Sequence, residues 1–356
     1  MTELKINKMP SATWSWLKMN SAAVTLEDSY YSGMKNVSPS VRGLSDSVKY
    51  SEDSVFASDL TGGAGKGADV LYSSAKPVAV TFGKKSKTEK PVVLEYDLTS
   101  DSNALTSQII CAEEDAEATV IIVCSSDKKL GGLNALKTQI VAKNNSKLHV
   151  IKVQLLGEKF IQIDETESVC AENANIEVTH IVLGGAKTYV GVGNDLAEYK
   201  ASFKSHLSYY CKDEQELDLN YVVLHHGKKT ECNMDVNGTL KGNSKKTYRG
   251  TIDFKNGCAG SVGKEQEQTL LLSDNAVNNS IPIILCDEED VSGEHGASIG
   301  RLGEDVLFYM ENRGIEKSAA ENLIARAKVQ STVSLINDED VLSKTELFMD
   351  SIFGEL

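Results

Sequence analysis

Leu148-His149-Val150-Ile151-Lys152-Val153-Gln154-Leu155, Ile176-Glu177-Val178-Thr179-His180-Ile181-Val182-Leu183 and Leu217-Asp218-Leu219-Asn220-Tyr221-Val222-Val223-Leu224 superpose without a gap. Each is rich in β-branched and aliphatic residues and alternates in polarity, the period-two signature of a strand. Each follows a small or polar turn: Asn144-Asn145-Ser146, Glu172-Asn173-Ala174-Asn175 and Asp213-Glu214-Gln215. The spacings, 28 and 41 residues, lie in the range of stacked coils, where each coil covers the apolar face of its neighbour. A parallel β-helix fits this pattern; a β-sandwich is the structural alternative.

Outward from these runs, nearly everything between Lys76 and about Ile299 reads as strand. Val78, Val80 and Phe82 alternate with Ala79, Thr81 and Gly83. Further runs are Val120–Cys124, Tyr199–Tyr210 and Thr247–Phe254. The expected organisation is mainly β: an N-terminal irregular or helical segment (1–75), a β-helix core (76–302) and a C-terminal helical module (303–356).

In the N-terminal segment, Trp14 and Trp16 are expected to anchor a short helix or arm against the body. Thr61-Gly62-Gly63-Ala64-Gly65-Lys66-Gly67 resembles a phosphate loop only superficially: Gly67 follows Lys66 where Ser or Thr is needed, and no strand precedes it. A flexible surface loop is the expectation. After Gly300 the period becomes helical. Glu304-Asp305 place acid at a helix start, and Arg313-Gly314 close that helix with a residue suited to a left-handed cap. A second helix is expected from about Glu316 to Lys328, with Ala319, Ala320, Leu323, Ile324 and Ala327 on one face. A third starts at Asn337-Asp338-Glu339-Asp340, with Val341, Thr345, Phe348 and Ile352 at helical spacing.

A net charge of -14 argues against nucleic-acid binding, which needs a basic footprint, and leaves proteins or cations as partners. No apolar run reaches membrane-spanning length, and Met1-Thr2-Glu3-Leu4-Lys5 lacks a signal peptide's apolar stretch. A cytoplasmic location is expected. The seven cysteines are odd in number, scattered and without a CxxC pair, so reduced thiols are expected.

The chemistry concentrates at Asp290-Val291-Ser292-Gly293-Glu294-His295-Gly296-Ala297-Ser298-Ile299-Gly300, where the strand region meets the helical module. His295 can ligate iron or zinc through an imidazole nitrogen. Cys286 and Glu294 are candidate further donors. The bland reading is an acidic surface loop with one structural histidine. His225 and His226 are adjacent on a strand, so they face opposite sides and at most one serves any site. No HExxH or HxH spacing is present.

Gly250-Thr251-Ile252-Asp253-Phe254, Gln268-Thr269-Leu270-Leu271-Leu272-Ser273, Ile281-Pro282, Asp290-Val291, His295-Gly296-Ala297-Ser298-Ile299-Gly300, Leu307-Phe308-Tyr309 and Arg313-Gly314-Ile315 follow one another in order. This series resembles the SufB/SufD family of the SUF iron–sulfur cluster assembly system. It is strongest over about 235–330, and Trp14-Ser15-Trp16-Leu17-Lys18-Met19-Asn20 looks like a segment of some SufD proteins. The resemblance implies a right-handed parallel β-helix and a scaffold rather than an enzyme. It also implies pairing with a SufB-like paralogue or with itself, and a SufC-type ABC ATPase docked near Phe308, Tyr309, Arg313, Gly314 and Ile315. A transient cluster or iron at the subunit interface would be handled by His295, and a flavin is implied for the full complex. SufB proteins carry a functional glutamate where this chain has Gly296 and a functional cysteine where it has Glu267; both departures point toward SufD. A carbohydrate-active β-helix enzyme is the alternative, weakened by an aromatic content of only 6%, too low for sugar-stacking platforms.

Overall fold

A computed structural model describes residues 2–11, 18–52, 54–57, 60, 62–99 and 103–354. Trp14 and Trp16 lie outside them. From Val78 onward the chain winds as a β-solenoid of about 8 turns, and strands make up 53% of the structure. Successive strands alternate between two sheets. Those beginning at Val78, Asn103, Gly131, Lys159, Lys187, Glu216, Lys245 and Val277 lie side by side in one; those beginning at Val92, Glu117, Lys147, Asn175, Ser202, Glu231, Ser261 and Val291 form most of the other. Neighbours within each sheet from Val78 on are parallel, so one coil contributes one strand to each.

The register shows which sequence similarities were structural. Leu148 pairs with Ile176 in the parallel ladder, so the spacing of 28 is one true coil. The Leu217 run belongs to the opposite sheet, in the strand Glu216–His225, so its spacing of 41 crosses between sheets and is not a coil length. The resemblance among the three runs reflects a shared half-buried pleat. The Tyr199–Tyr210 run starts later than expected, at Ser202, because Lys200 takes a left-handed turn conformation with φ 56°.

The corners explain the turn residues. Asp115, Asn145 and Asn173 all adopt φ between 54° and 58°, a region that Asn and Asp enter more readily than other non-glycine residues. They also stack: Asn145 Nδ2 donates to Asp115 Oδ1 at 3.1 Å, and Asn173 Nδ2 donates to Asn145 Oδ1 at 3.3 Å.

The inward-facing residues of both sheets form one continuous core, including Val80, Ile122, Val150, Val178, Leu207, Leu219, Tyr221, Tyr248 and Ile252. Two further layers cover the outside. On one sheet lie the antiparallel hairpin Thr2–Ile6/Ala22–Leu26 and a 3-10 helix, Lys66–Tyr72, with Leu4, Ile6, Val24, Leu71 and Tyr72 packed against Leu133, Ala135 and Ile163. The N-terminal segment, expected to be irregular or helical, thus contributes strands as well as the short helix α1 (Asp28–Ser32). The glycine-rich loop is not a flexible surface feature. Gly63 and Ala64 are buried, and a Cβ added to Gly191 would fall 2.0 Å from the Ala64 amide nitrogen, so the loop lies directly on the sheet.

On the other sheet sit two of the three C-terminal helices, α2 (Glu304–Glu311), α3 (Lys317–Val333) and α4 (Glu339–Phe353). α3 and α4 bury Ala325, Val329, Val333, Val341, Met349 and Phe353 against Ile121, Ile151, Val153, Leu155, Ile181 and Tyr210. α3 is rotated relative to the expected face: Ala320, Ala325 and Val329 are buried, whereas Leu323 is exposed. Helical spacing locates an apolar stripe only to within a residue or two when alanines occupy both flanks.

Asp338 starts α4. Its Oδ1 accepts the Val341 amide at 3.0 Å, an N-cap, and its carboxylate also receives both terminal nitrogens of Arg42, Nη2 to Oδ1 at 2.6 Å. The Arg42 guanidinium, ahead of the capping amides, holds the carboxyl below its ordinary range. Asp338→Ala removes cap and pair together. A loss of about 1–2 kcal/mol is expected, read as a lower urea midpoint; an unchanged midpoint would show that the helix is seated by its apolar face alone.

Candidate metal and docking site

Both sheets end at the same place. Among the described residues, the strands Val277–Cys286 and Val291–Arg301 are each the terminal member of their sheet, with no strand paired to their outer edge. Core positions elsewhere in the solenoid are covered by the next coil. Here the Val291–Arg301 strand is exposed along nearly its whole length, and His295 with it.

The direction of the His295 side chain follows from parity and register. In the preceding strand of that sheet, Ser261–Leu271, Gly263, Glu265, Glu267 and Thr269 are buried, and Lys264, Gln266 and Gln268 are exposed. Gly263 pairs with Gly293, Glu265 with His295 and Glu267 with Ala297. A Cβ added to Gly293 would meet Ile284 and Phe254 at 3.1–3.2 Å, inside the solenoid. His295, two residues on, therefore shares the inward row. That row runs back through Glu265, Met234, Ser205, Val178 and Val150. His295 is its last member, turned toward the hollow of a coil that has no successor. No hydrogen bond or ion pair to a described residue fixes its ring.

The other two predicted donors are placed differently. Glu294 has the opposite parity and sits on the outer face, 3.4 Å from Lys264 Nζ. Cys286 ends its strand exposed, and its thiol donates to the Glu288 carbonyl at 3.1 Å. Glu288 itself is occupied: the amides of Gly257 and Glu289, each at 3.0 Å, shape the turn around its carboxylate and hold its pKa down. Among the described residues no three His, Cys, Asp or Glu side chains converge as a metal-binding group. Of the paired histidines, His225 is buried, while His226 is exposed and 2.7 Å from Asp195.

Sequence reasoning missed the polar interior beneath His295. Lys246, fully buried, is ion-paired with Glu267, whose Oε1 also accepts Thr269 Oγ1 at 3.0 Å; the Tyr209 hydroxyl is 2.9 Å from the same threonine oxygen. Lys246 Nζ lies 5.4–5.7 Å from the ring centres of Tyr248 and Tyr209. Burial lowers the lysine's pKa against the pull of Glu267. Glu265 is 5% exposed, its Oε2 has no hydrogen-bond partner, and burial with the neighbouring Glu267 charge pushes its pKa up to about 7. The signal was present: Gly263-Lys264-Glu265-Gln266-Glu267-Gln268 is polar on both faces. A strand polar on the face its neighbours keep apolar marks an interior that is not purely packing.

A second polar node lies mid-solenoid. Lys152 pairs with Asp164 and donates to Thr166 Oγ1 at 2.8 Å, and His180 Nδ1 is 2.9 Å from the Tyr221 hydroxyl. Outside the solenoid, a cavity of about 550 Å³ lies between the glycine-rich loop, Lys5, Lys8 and the sheet residues Val222 and Leu224.

Just beyond the terminal strand, α2 buries none of its residues. Phe308 is 68% and Tyr309 60% exposed, with the Arg313 guanidinium 5.3 Å from the tyrosine ring centre. Gly314, at φ 81°, supplies the left-handed turn after the helix, and Ile315 is half-buried. Two large aromatic side chains are thus exposed side by side on a helix that buries none of its residues, the kind of patch that marks candidate docking surfaces.

Comparison with known proteins places this architecture. Residues 97–328 match a family model described as the SufBD core domain of SUF system FeS cluster assembly. An iron–sulfur cluster assembly SufBD family protein of Synechocystis is 26% identical over 269 residues, covering 71% of this chain and 55% of the relative. The iron–sulfur cluster assembly protein SufD of Bacillus subtilis is 23% identical over 251 residues, 68% of this chain and 56% of that protein. SufB of the same organism is 21% identical over 249 residues, 69% and 54% respectively. The chain spans about half the length of these curated relatives.

Proposed function

Because the chain belongs to the SufBD core family, we propose that it is a SufD-like, non-catalytic scaffold subunit of an iron–sulfur cluster assembly complex. It pairs with a SufB-like paralogue, or with a second copy, at the open end of the solenoid, and it carries an ABC-type ATPase on the exposed face of α2. Iron or a nascent cluster is the cargo, met at the seam by His295. The observation that carries this reading is the position of His295: the last member of an otherwise buried row, on a strand with an unpaired edge, a few residues before α2.

The chemistry suits a transient cargo. An imidazole is a good donor to iron, and one with no competing hydrogen bond is available to bind. A terminal strand offers unpaired amides and carbonyls along its length, a natural seam for another chain. Ordinary solenoids blunt such an end with a capping element; here the helices that follow pack on the outer face of the sheet.

The test is co-purification of the tagged full chain with a candidate ABC ATPase and a SufB-like paralogue, followed by cluster assembly in the reconstituted complex with His295→Ala. Unchanged assembly would remove His295 from the mechanism; failure to capture either protein would remove the scaffold reading. On the same preparation, Phe308→Ser with Tyr309→Ser is expected to weaken ATPase capture at least tenfold, as loss of aromatic anchors does at interfaces. Both side chains are already in solvent, so the melting temperature is expected to stay put. Retained capture would place the ATPase elsewhere.

A further inference from the structure

We propose that Glu265 is a second ligand for the divalent iron handled at the open end of the solenoid, binding it one coil beneath His295; the inference rests on the reading of His295 given above. In the parallel ladder the two residues are register partners on the inward row, and adjacent strands lie about 4.8 Å apart. An imidazole and a carboxylate stacked at that spacing can close on one cation at ordinary bond lengths of about 2.0–2.2 Å.

Glu265 Oε2 is buried and makes no hydrogen bond of ordinary geometry, and the Tyr248 hydroxyl beside the carboxylate is likewise unmatched, a costly arrangement unless a proton or a cation neutralises it. The nearby interior cation is committed elsewhere, since Lys246 is bound to Glu267. Space for Oε2 is built in from the opposite sheet: a Cβ added to Gly250 would fall 2.4 Å from it. Glu265 therefore carries an unpaired oxygen one coil beneath His295, on the same inward row, and the His295 imidazole has no described partner either. An N,O donor pair of this kind suits ferrous iron and its first-row surrogates. Two ligands from one chain leave the remaining positions to water, sulfide or a partner's donor. That agrees with the lack of a preformed three-residue group among the described residues and with a cargo that must leave.

Cobalt(II) titrated into the full chain, followed by its visible absorption and by calorimetry, is the test. Glu265→Gln is expected to weaken binding by at least ~10- to 100-fold, the range that loss of even an outer-shell metal partner produces. The same variant is expected to melt higher than the parent without metal, because it removes an unpaired buried carboxylate. A merely structural glutamate gives no such opposition. Gly250→Ala, which sets a Cβ 2.4–2.6 Å from the Glu265 carboxyl atoms and so displaces the carboxylate while keeping its charge, is expected to weaken cobalt binding as well, and the melting temperature of each variant, recorded without metal, separates lost binding from lost folding. His295→Ala separates the two levels. If it weakens cobalt binding while Glu265→Gln and Gly250→Ala bind as the parent does, the present inference is overturned and the role of His295 stands. If none of the three changes binding, both are overturned.

Discussion

Lys246→Met is expected to destabilise the terminal coils by about 3–5 kcal/mol, the usual effect of removing one member of a buried ion pair. Lys246 is fully buried and Glu267 nearly so. The methionine replaces the stem of the lysine well, so little packing is lost between Tyr209 and Tyr248. What is lost is the only cation among the described residues bound to Glu267, which keeps the Thr269 hydroxyl at 3.0 Å. The stranded carboxylate must then be protonated or desolvated without compensation. The double variant, Lys246→Met with Glu267→Leu, removes both charges and is expected to recover most of the loss, because well-packed apolar replacements of buried pairs are often neutral or stabilising. Denaturation followed by urea decides between the two. Because a solenoid is stabilised coil by coil, the single variant is expected to show an early transition belonging to its last coils. A double variant as unstable as the single one would mean that Glu267 is not the cause, and that shape around the two tyrosines matters more than charge.

The contrast between what could and could not be read from the chain is largely one of parity. Alternation in Leu148–Leu155 and Ile176–Leu183 announced strands, and their 28-residue offset was one coil. The Leu217 run looked equally similar yet lies in the other sheet, because an alternating pleat carries no label for the sheet it joins. His295 stood out by chemistry and by its place before a helix, but its neighbours in sequence were poor guides to its neighbours in space. Glu294, one residue away, faces outward to Lys264, whereas Glu265, thirty positions earlier in the sequence, sits beneath it. In a parallel solenoid the residues that share a site are one coil apart, and coil length becomes known only when the register is. The glycine-rich loop failed for a related reason. Its glycines read as flexibility, but Gly63 is buried and the loop lies against Gly191 across the sheet, a long-range contact with no local signature.

The second large effect concerns acid. His225 is buried with Nδ1 2.7 Å from Thr230 Oγ1, Nε2 3.3 Å from Cys232 Sγ and its ring 4.7 Å from that of Phe254. Burial pushes its pKa down from 6.5 to about 4. The unfolded chain therefore binds a proton at this histidine over a range in which the native state does not. Stability from this group is fully present above pH ~6.5 and is lost as pH falls toward ~4, by roughly 3 kcal/mol in all. The raw pH curve is not the readout, because Glu265, raised from 4.5 to about 7, titrates with the opposite sign over nearly the same interval: its native state holds the extra proton, so its share of stability falls as pH rises. The two slopes offset each other. His225→Gln keeps a polar, neutral side chain and removes one of them. The stability difference, parent minus variant, is expected to grow by roughly 2 kcal/mol between pH 4.5 and 6.5 and to flatten above that, measured by urea titration at half-unit steps with a chelator present. A difference that stays constant with pH would show that the native His225 titrates like an exposed imidazole, and the packed, unprotonated ring between Thr230 and Cys232 would have to be abandoned.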